Sequence, residues 1–314
     1  MDLSLTAIVQ VIGGLALLTV AADRLVLSAA RLSKRSGLSP ILIGAVVVGL
    51  GTSLPEMLVS GLAAAEPDGM DLALGNIVGS NIANIGLVLG LSVVISPIVG
   101  QARILNREGR LMLVGMLLLT GLAWDGELSL LDGVVLGVGL VIALSLMVIW
   151  SQRDTSAAID LDEIGRDEDI RPGVEVLFGI GSLGVTLLGA QLLVTGAEEV
   201  ALGMGVSQAV IGLTLVAVGT SLPELATALA AARRKENDLV LGNVLGSNLF
   251  NALGVGAVAG VIGDGTFTAN FNPSLVIMMG VAVLAGVLAT IGRRLDRWQG
   301  AVLLVAYPLV LLFV

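Results

Sequence analysis

Two six-residue stretches, Gly51-Thr52-Ser53-Leu54-Pro55-Glu56 and Gly219-Thr220-Ser221-Leu222-Pro223-Glu224, each set one carboxylate, two hydroxyls and a proline inside a long apolar run. A charge near the middle of such a run costs at least ~2.5–3.5 kcal/mol on membrane-insertion scales. Two symmetry-matched glutamates in identical surroundings therefore point to function rather than to an isolated neutral acid. Pro55 and Pro223 each remove a helix hydrogen bond and free a carbonyl one turn earlier, near Gly51 and Gly219. Broken helices at membrane depth occur where they line a cavity or are buried in protein. Each stretch thus offers carboxylate, hydroxyl and carbonyl oxygens, all hard ligands that suit Na⁺ or Ca²⁺ over a soft transition metal.

A second block follows each hexad: Gly75-Asn76-Ile77-Val78-Gly79-Ser80-Asn81, then Gly242-Asn243-Val244-Leu245-Gly246-Ser247-Asn248. Asn76, Ser80 and Asn84 fall at i, i+4 and i+8 on one helical face, as do Asn243, Ser247 and Asn251. Ser80, Asn84, Ser247 and Asn251 are read as lining the site. Asn76 and Asn243 are read either as lining it or as holding the kink, while Asn81 and Asn248 point elsewhere. The glycine pairs Gly75/Gly79 and Gly242/Gly246 read as packing faces. Two carboxylates a few Å apart in a low dielectric repel strongly. One divalent ion, several monovalent ions or protons would relieve them, which is a physical basis for exchange.

These groups need a frame, and the composition dictates which. Apolar residues make up 56% of 314 and charged residues only 13%, against about 25% charged in a soluble domain. Ten apolar segments can be drawn, at about 6–30, 39–65, 72–97, 111–124, 130–150, 174–201, 206–232, 238–262, 273–291 and 299–314. The loops after the odd-numbered segments hold fifteen of the sixteen basic residues; those after the even-numbered ones hold none. Under the positive-inside rule the odd loops are cytoplasmic and both termini external. The expected fold is an all-α membrane protein of ten transmembrane helices, an inverted repeat of two five-helix halves (1–150 and 173–314). An acidic cytoplasmic linker (151–172) joins them. Five spans per half place the second copy in opposite orientation, with a site near the midplane at the repeat interface.

Other classes fall away. The chain has no Cys and no His, so thiolate sites and imidazole relays are excluded. A net charge of −9 argues against nucleic acid. The linker acids Asp160, Asp162, Glu163, Asp167, Glu168 and Asp169 lack EF-hand spacing and read as a solvated linker. Asp23–Arg24 and Glu198–Glu199 lie away from the broken segments and read as structural or interfacial rather than as cargo ligands. The first apolar stretch lacks a basic n-region and reads as a retained span rather than a signal peptide.

The hexads and the Gly-Asn-x-x-Gly-Ser-Asn blocks resemble the two α-repeats of the sodium/calcium exchanger branch of the calcium/cation antiporters. That resemblance implies alternating access, with the first and sixth spans sliding against an eight-helix core. It implies that Glu56 and Glu224 are shared by Ca²⁺ and Na⁺. It further implies that Thr52, Ser53, Ser80 and Asn84, with Thr220, Ser221, Ser247 and Asn251, complete the sodium sites, joined by backbone carbonyls near Gly49 and Ala217. Similar microbial members can carry Asp where this chain has Asn251. A Ca²⁺/H⁺ antiporter and a K⁺-dependent exchanger remain alternatives; the proton-coupled branch typically shows Asn-Ala in place of Thr-Ser in the hexad. An intramembrane hydrolase using the two glutamates and a passive channel fit less well, the first because the neighbours are cation ligands, the second because a double-carboxylate site binds too tightly. The expected partners are Ca²⁺, Na⁺ and the lipid bilayer of the cell membrane, with no cofactor beyond the transported ions and a monomer as the working unit.

Overall fold

The computed structural model describes residues 5–99, 102–153, 171–205, 217–263, 265–291, 294–310 and 312. The linker acids from Asp160 to Asp169, Asp264, and the stretch 206–216 of the seventh expected span lie outside the described residues.

The described chain is helical, with elements α1 (Leu5–Ser36), α2 (Pro40–Thr52), α3 (Leu54–Ala64), α4 (Met70–Ile95), α5 (Ala102–Leu122) and α6 (Leu130–Arg153) in the first half. The second half has α7 (Pro172–Gly203), α8 (Ala217–Thr220), α9 (Leu222–Arg233), α10 (Asn237–Ile262), α11 (Asn272–Thr290) and α12 (Arg297–Val310). Helices α1, α4, α6, α7, α10 and α11 are each long and apolar enough to cross a membrane, and α2 with α3 forms a seventh span bent by 46°. Helix α5, the α8–α9 pair and α12 complete ten segments in the expected order. One boundary moves. Helix α5 begins at Ala102 rather than at 111, so Arg107 and Arg110 lie inside the helix and not in the preceding loop. Hydropathy rejects those arginine-bearing turns, but their apolar neighbours, such as Ile104 at 8% exposure, still pack inward.

Local signals set the ends. Gly37, at φ +69°, terminates α1 in a conformation that favours glycine. Ser39 then caps α2, its hydroxyl accepting from the Leu42 N–H at 3.3 Å with Pro40 in the first turn.

Helices α1 and α7 pack mainly on each other. A Cβ on Gly14 would lie 2.5 Å from the Leu193 nitrogen, one on Gly189 2.6 Å from the Leu18 nitrogen, and one on Gly196 2.7 Å from the Ala7 oxygen. As residue numbers rise along α1 they fall along α7, so the first helices of the two halves run antiparallel, as an inverted repeat requires. At one end of this pair Glu175 accepts from Arg24 at 2.8 Å, Arg31 at 2.7 Å and Ser28 at 3.1 Å. Asp23 takes a bidentate contact from Arg234, just beyond α9, at 2.6 and 2.7 Å. The structural reading of Asp23–Arg24 holds.

Two small ties join the halves outside the helices. Strands β1 (Ile98–Val99) and β2 (Arg294–Leu295) pair antiparallel among the arginine-bearing loops. A bridge between Glu127 and Thr266, with Asp71 accepting from the Thr268 N–H at 2.8 Å, ties the acidic loops.

Candidate cation site

The hexads break their helices at the serines. Ser53 has φ −83° and ψ 5°, and Ser221 has φ −87° and ψ 5°, both between a short helix and a new one. Pro55 and Pro223 therefore sit in the first turns of α3 and α9, where a missing N–H costs little. The carbonyl of Gly51 meets the Ser53 N–H at the cap. The break also places Glu56 and Glu224 in those first turns. Unsatisfied N–H groups at a helix start favour negative charge, so each broken helix helps to hold its own buried carboxylate.

The second blocks hold these turns in place. The Asn76 amide donates to the Glu56 carbonyl at 3.3 Å and to the Ser60 hydroxyl at 2.9 Å. The Asn243 amide donates to the Glu224 carbonyl at 3.1 Å and to the Thr227 hydroxyl at 3.0 Å. Both asparagines are backbone braces, the second of the two roles open to them. Asn81 and Asn248 turn away from the site, donating to the Met278 sulfur at 3.5 Å and the Val244 carbonyl at 2.7 Å.

Close packing brings the two copies together. A Cβ on Gly246 would lie 2.5 Å from the Ala45 Cα, and one on Gly242 2.5 Å from the Ile41 oxygen, so this glycine pair is a packing face. Gly75 and Gly79 differ: among the described residues only the Phe271 ring, at 3.8 Å, reaches the first and nothing reaches the second.

The side chains then cross between copies. The Ser53 hydroxyl donates to Glu224 Oε1 at 3.0 Å, and the Ser247 hydroxyl donates to the Gly49 carbonyl at 3.2 Å. Thr52 donates to the Val48 and Gly49 carbonyls at 2.9 and 3.3 Å and lies beside Glu224, while Thr220 lies beside Glu56. These donations use the hydroxyl protons and leave oxygen lone pairs that can face a cation. Glu56 and Glu224 are both 0% exposed, and the charge of Glu224 is felt at Glu56. Ala217 opens α8 at the position equivalent to Gly49.

Most of the remaining polar atoms are unsatisfied. Oε2 of Glu224, the hydroxyls of Ser80 and Ser221, and both amide atoms of Asn84 and Asn251 are buried without a hydrogen-bond partner among the described residues, and both Glu56 oxygens are buried with the Thr220 hydroxyl beside them. Asn84 and Asn251 lie within π-helical turns, Asn84–Leu89 and Phe250–Val255, and a third such turn, Gly44–Gly49, leads into the first hexad. Wide turns of this kind recur at functional sites. Nothing in the sequence marks them, because they reuse the apolar pattern of an α-helix.

Such a set of hard oxygens suits a dehydrated hard cation. Among the described residues no group of three or more His, Cys, Asp or Glu could hold a metal.

The comparisons agree with this geometry. The model of the family described as sodium/calcium exchanger protein matches residues 6–149 and 174–314, one segment per half. The sodium/calcium exchanger MaX1 of Methanosarcina acetivorans is 31% identical and covers 96% of each chain. An uncharacterized membrane protein of Methanocaldococcus jannaschii is 38% identical over 94% of this chain and 93% of its own. A structure of the sodium-calcium exchanger NCX_Mj soaked with Na⁺ and Sr²⁺ superposes with a TM-score of 0.85 at 34% identity, covering 98% of both chains. A duplicated hexad, a ten-segment inverted repeat and matches over nearly the whole length lead to one conclusion: the chain belongs to the sodium/calcium exchanger protein family.

Proposed function

We propose that this chain exchanges Na⁺ for Ca²⁺ across the cell membrane by alternating access, with Glu56 and Glu224 shared by the competing cations. The observation that carries this reading is the collection of buried, unpartnered oxygens around two fully buried carboxylates. Buried polar groups are nearly always satisfied in folded proteins, and these are the ones a bound cation would satisfy. Thr52, Ser53, Ser80 and Asn84, with Thr220, Ser221, Ser247 and Asn251 and the carbonyls of Gly49 and Ala217, complete the ligand set. The Gly49 carbonyl already accepts from the Ser53 N–H at 3.0 Å, from Ser247 at 3.2 Å and from Thr52 at 3.3 Å, so a cation there would displace one of the hydroxyl donors. One chain supplies every ligand, so the monomer is the working unit.

The halves 1–150 and 173–314 act as the repeats, with 151–172 as the linker. Arginine-bearing loops place the linker in the cytoplasm and both termini outside. The pairing of α1 mainly with α7 supports their moving as one unit against the remaining helices.

Reconstitution into liposomes with independently set Na⁺, K⁺, H⁺ and membrane potential tests the reading. An outward Na⁺ gradient should drive calcium uptake, and Glu56→Gln or Glu224→Gln should abolish it. Uptake driven by a pH gradient without Na⁺, or exchange retained in either variant, would overturn it.

A further inference from the structure

Away from the cation site, a cavity of about 460 Å³ lies between α5 and α11. Its floor is buried and apolar: Ile85 and Leu89 of α4, Val244 and Leu245 of α10, and Ala282 of α11. Its outer rim is open, with Val283 at 50% and Val287 at 53% exposure on the face of α11 that meets the membrane. Small residues along α11 should let α5 approach closely, yet the space stays open. Gly109 of α5 and Gly286 of α11 both line it, and among the described residues a Cβ on either would meet nothing within 4 Å. That contrasts with Gly14 and Gly189, where a Cβ would strike backbone.

One end of the cavity carries a cation. Arg110 lines it, is exposed, and has no ion pair or hydrogen bond among the described residues. Its neighbour Arg107 is committed, bonded to the 4%-exposed Glu108 at 2.6 Å and stacked 4.9 Å from the Trp150 ring. Leu295 of β2 also lines this end, so it lies among the arginine-bearing loops. A pocket of a few hundred Å³, mostly apolar with a few polar side chains, here Arg110, Asn106 and Thr290, has the form of a ligand site. Basic pockets between transmembrane helices at such loops suit anionic lipid headgroups.

We infer that this cavity binds an anionic phospholipid, one acyl chain filling the space between α5 and α11 and the headgroup phosphate meeting Arg110. The second chain stays in the bilayer. The open rim along Val283 and Val287 admits a chain from the side, and the unpartnered guanidinium selects the charge of the head. The floor joins this site to the cation site, because Ile85 follows Asn84 in the same π-helical turn and Val244 follows Asn243 on α10.

The purified full chain in mild detergent is titrated with phosphatidylglycerol or phosphatidylcholine, reading retained lipid by native mass spectrometry and the melting temperature. The wild type should retain one phosphatidylglycerol and melt higher with it than with phosphatidylcholine. Arg110→Gln should weaken that binding about tenfold, the loss of one charge-assisted contact, and Arg110→Lys should recover part of it. Gly286→Leu should abolish the retained lipid without lowering the lipid-free melting temperature, since the new side chain fills open space. Gly109→Leu tests the opposite wall in case the first variant folds poorly. Equal effects of the two lipids on the wild type, no retained lipid, or selectivity that survives both leucine variants or Arg110→Gln would overturn the inference.

Discussion

The two hexad serines make opposite predictions from the same chemistry. Ser53 donates to Glu224 Oε1 at 3.0 Å, whereas the Ser221 hydroxyl is buried with no partner among the described residues. A buried unsatisfied hydroxyl costs about 1–3 kcal/mol, and a hydrogen bond to a charged group contributes about 1.5–3 kcal/mol. Without Na⁺ or Ca²⁺, Ser221→Ala should therefore raise stability by about 1 kcal/mol or more, or about 2 °C in melting temperature. Ser53→Ala should lower stability by a similar or larger amount, because it strips a 3.0 Å donor from Glu224. With cations present the first effect reverses its meaning. The wild-type hydroxyl becomes a ligand, so Ser221→Ala should show a smaller cation-induced rise in melting temperature than wild type. The assay is thermal unfolding in detergent, first in a choline buffer with chelator and then across Na⁺ and Ca²⁺ titrations. A Ser221→Ala protein that melts lower than wild type without cations, or that keeps the full cation-induced rise, would refute the assignment of these oxygens to ions.

The same unfolding assay should rank the glutamates: without cations Glu56→Gln should stabilise more than Glu224→Gln, because Glu224 is held by Ser53 at 3.0 Å and by Thr52, whereas Glu56 has the Thr220 hydroxyl beside it. Glu175→Gln, which leaves Arg24 and Arg31 facing a neutral amide at one end of the α1–α7 pair, should cost about 1–2 kcal/mol, less than a fully buried pair because both arginines are partly exposed. Gly189→Leu should cost at least about 1–3 kcal/mol by overpacking and reduce exchange, since a Cβ alone would approach the Leu18 nitrogen to 2.6 Å; folded protein with unchanged exchange would show that α1 and α7 need not be in close contact. Asp23→Asn should change stability by no more than about 1 kcal/mol, with less effect at high salt, because the pair with Arg234 is solvent-facing.

The sequence revealed most of the frame because its signals are chemical and repeated. Two identical hexads, each followed by the same asparagine–serine block, mark the residues that meet at the repeat interface. Alternation of basic and acidic loops marks the segments. What stayed hidden has physical causes. Arg107 and Arg110 read as loop because hydropathy sums charge without direction, whereas a helix can turn arginines to a rim and its apolar side inward. The π-helical turns leave no trace in composition. Pro55 and Pro223 suggest kinks in continuous helices, but the structure uses them as first-turn residues of new ones, and only coordinates show that this puts Glu56 and Glu224 at helix starts. The roles of Asn76 and Asn243 were open between ligand and brace, because spacing gives a face and not a partner.

The duplicated site is symmetric in sequence and unequal in structure. On one side Ser53 satisfies Glu224, and Ser247 and Thr52 satisfy the Gly49 carbonyl. On the other, the Ser80 and Ser221 hydroxyls lack hydrogen-bond partners among the described residues, and Glu56 has the Thr220 hydroxyl beside it. A cation meeting Glu224 would compete with Ser53 for Oε1. The pseudo-equivalent positions therefore differ in their hydrogen bonding, although each is built from the same six residues. Inversion of the repeat makes that inequality useful: the two halves face opposite sides of the membrane, so exchanging which half is satisfied internally would exchange which side holds the open oxygens.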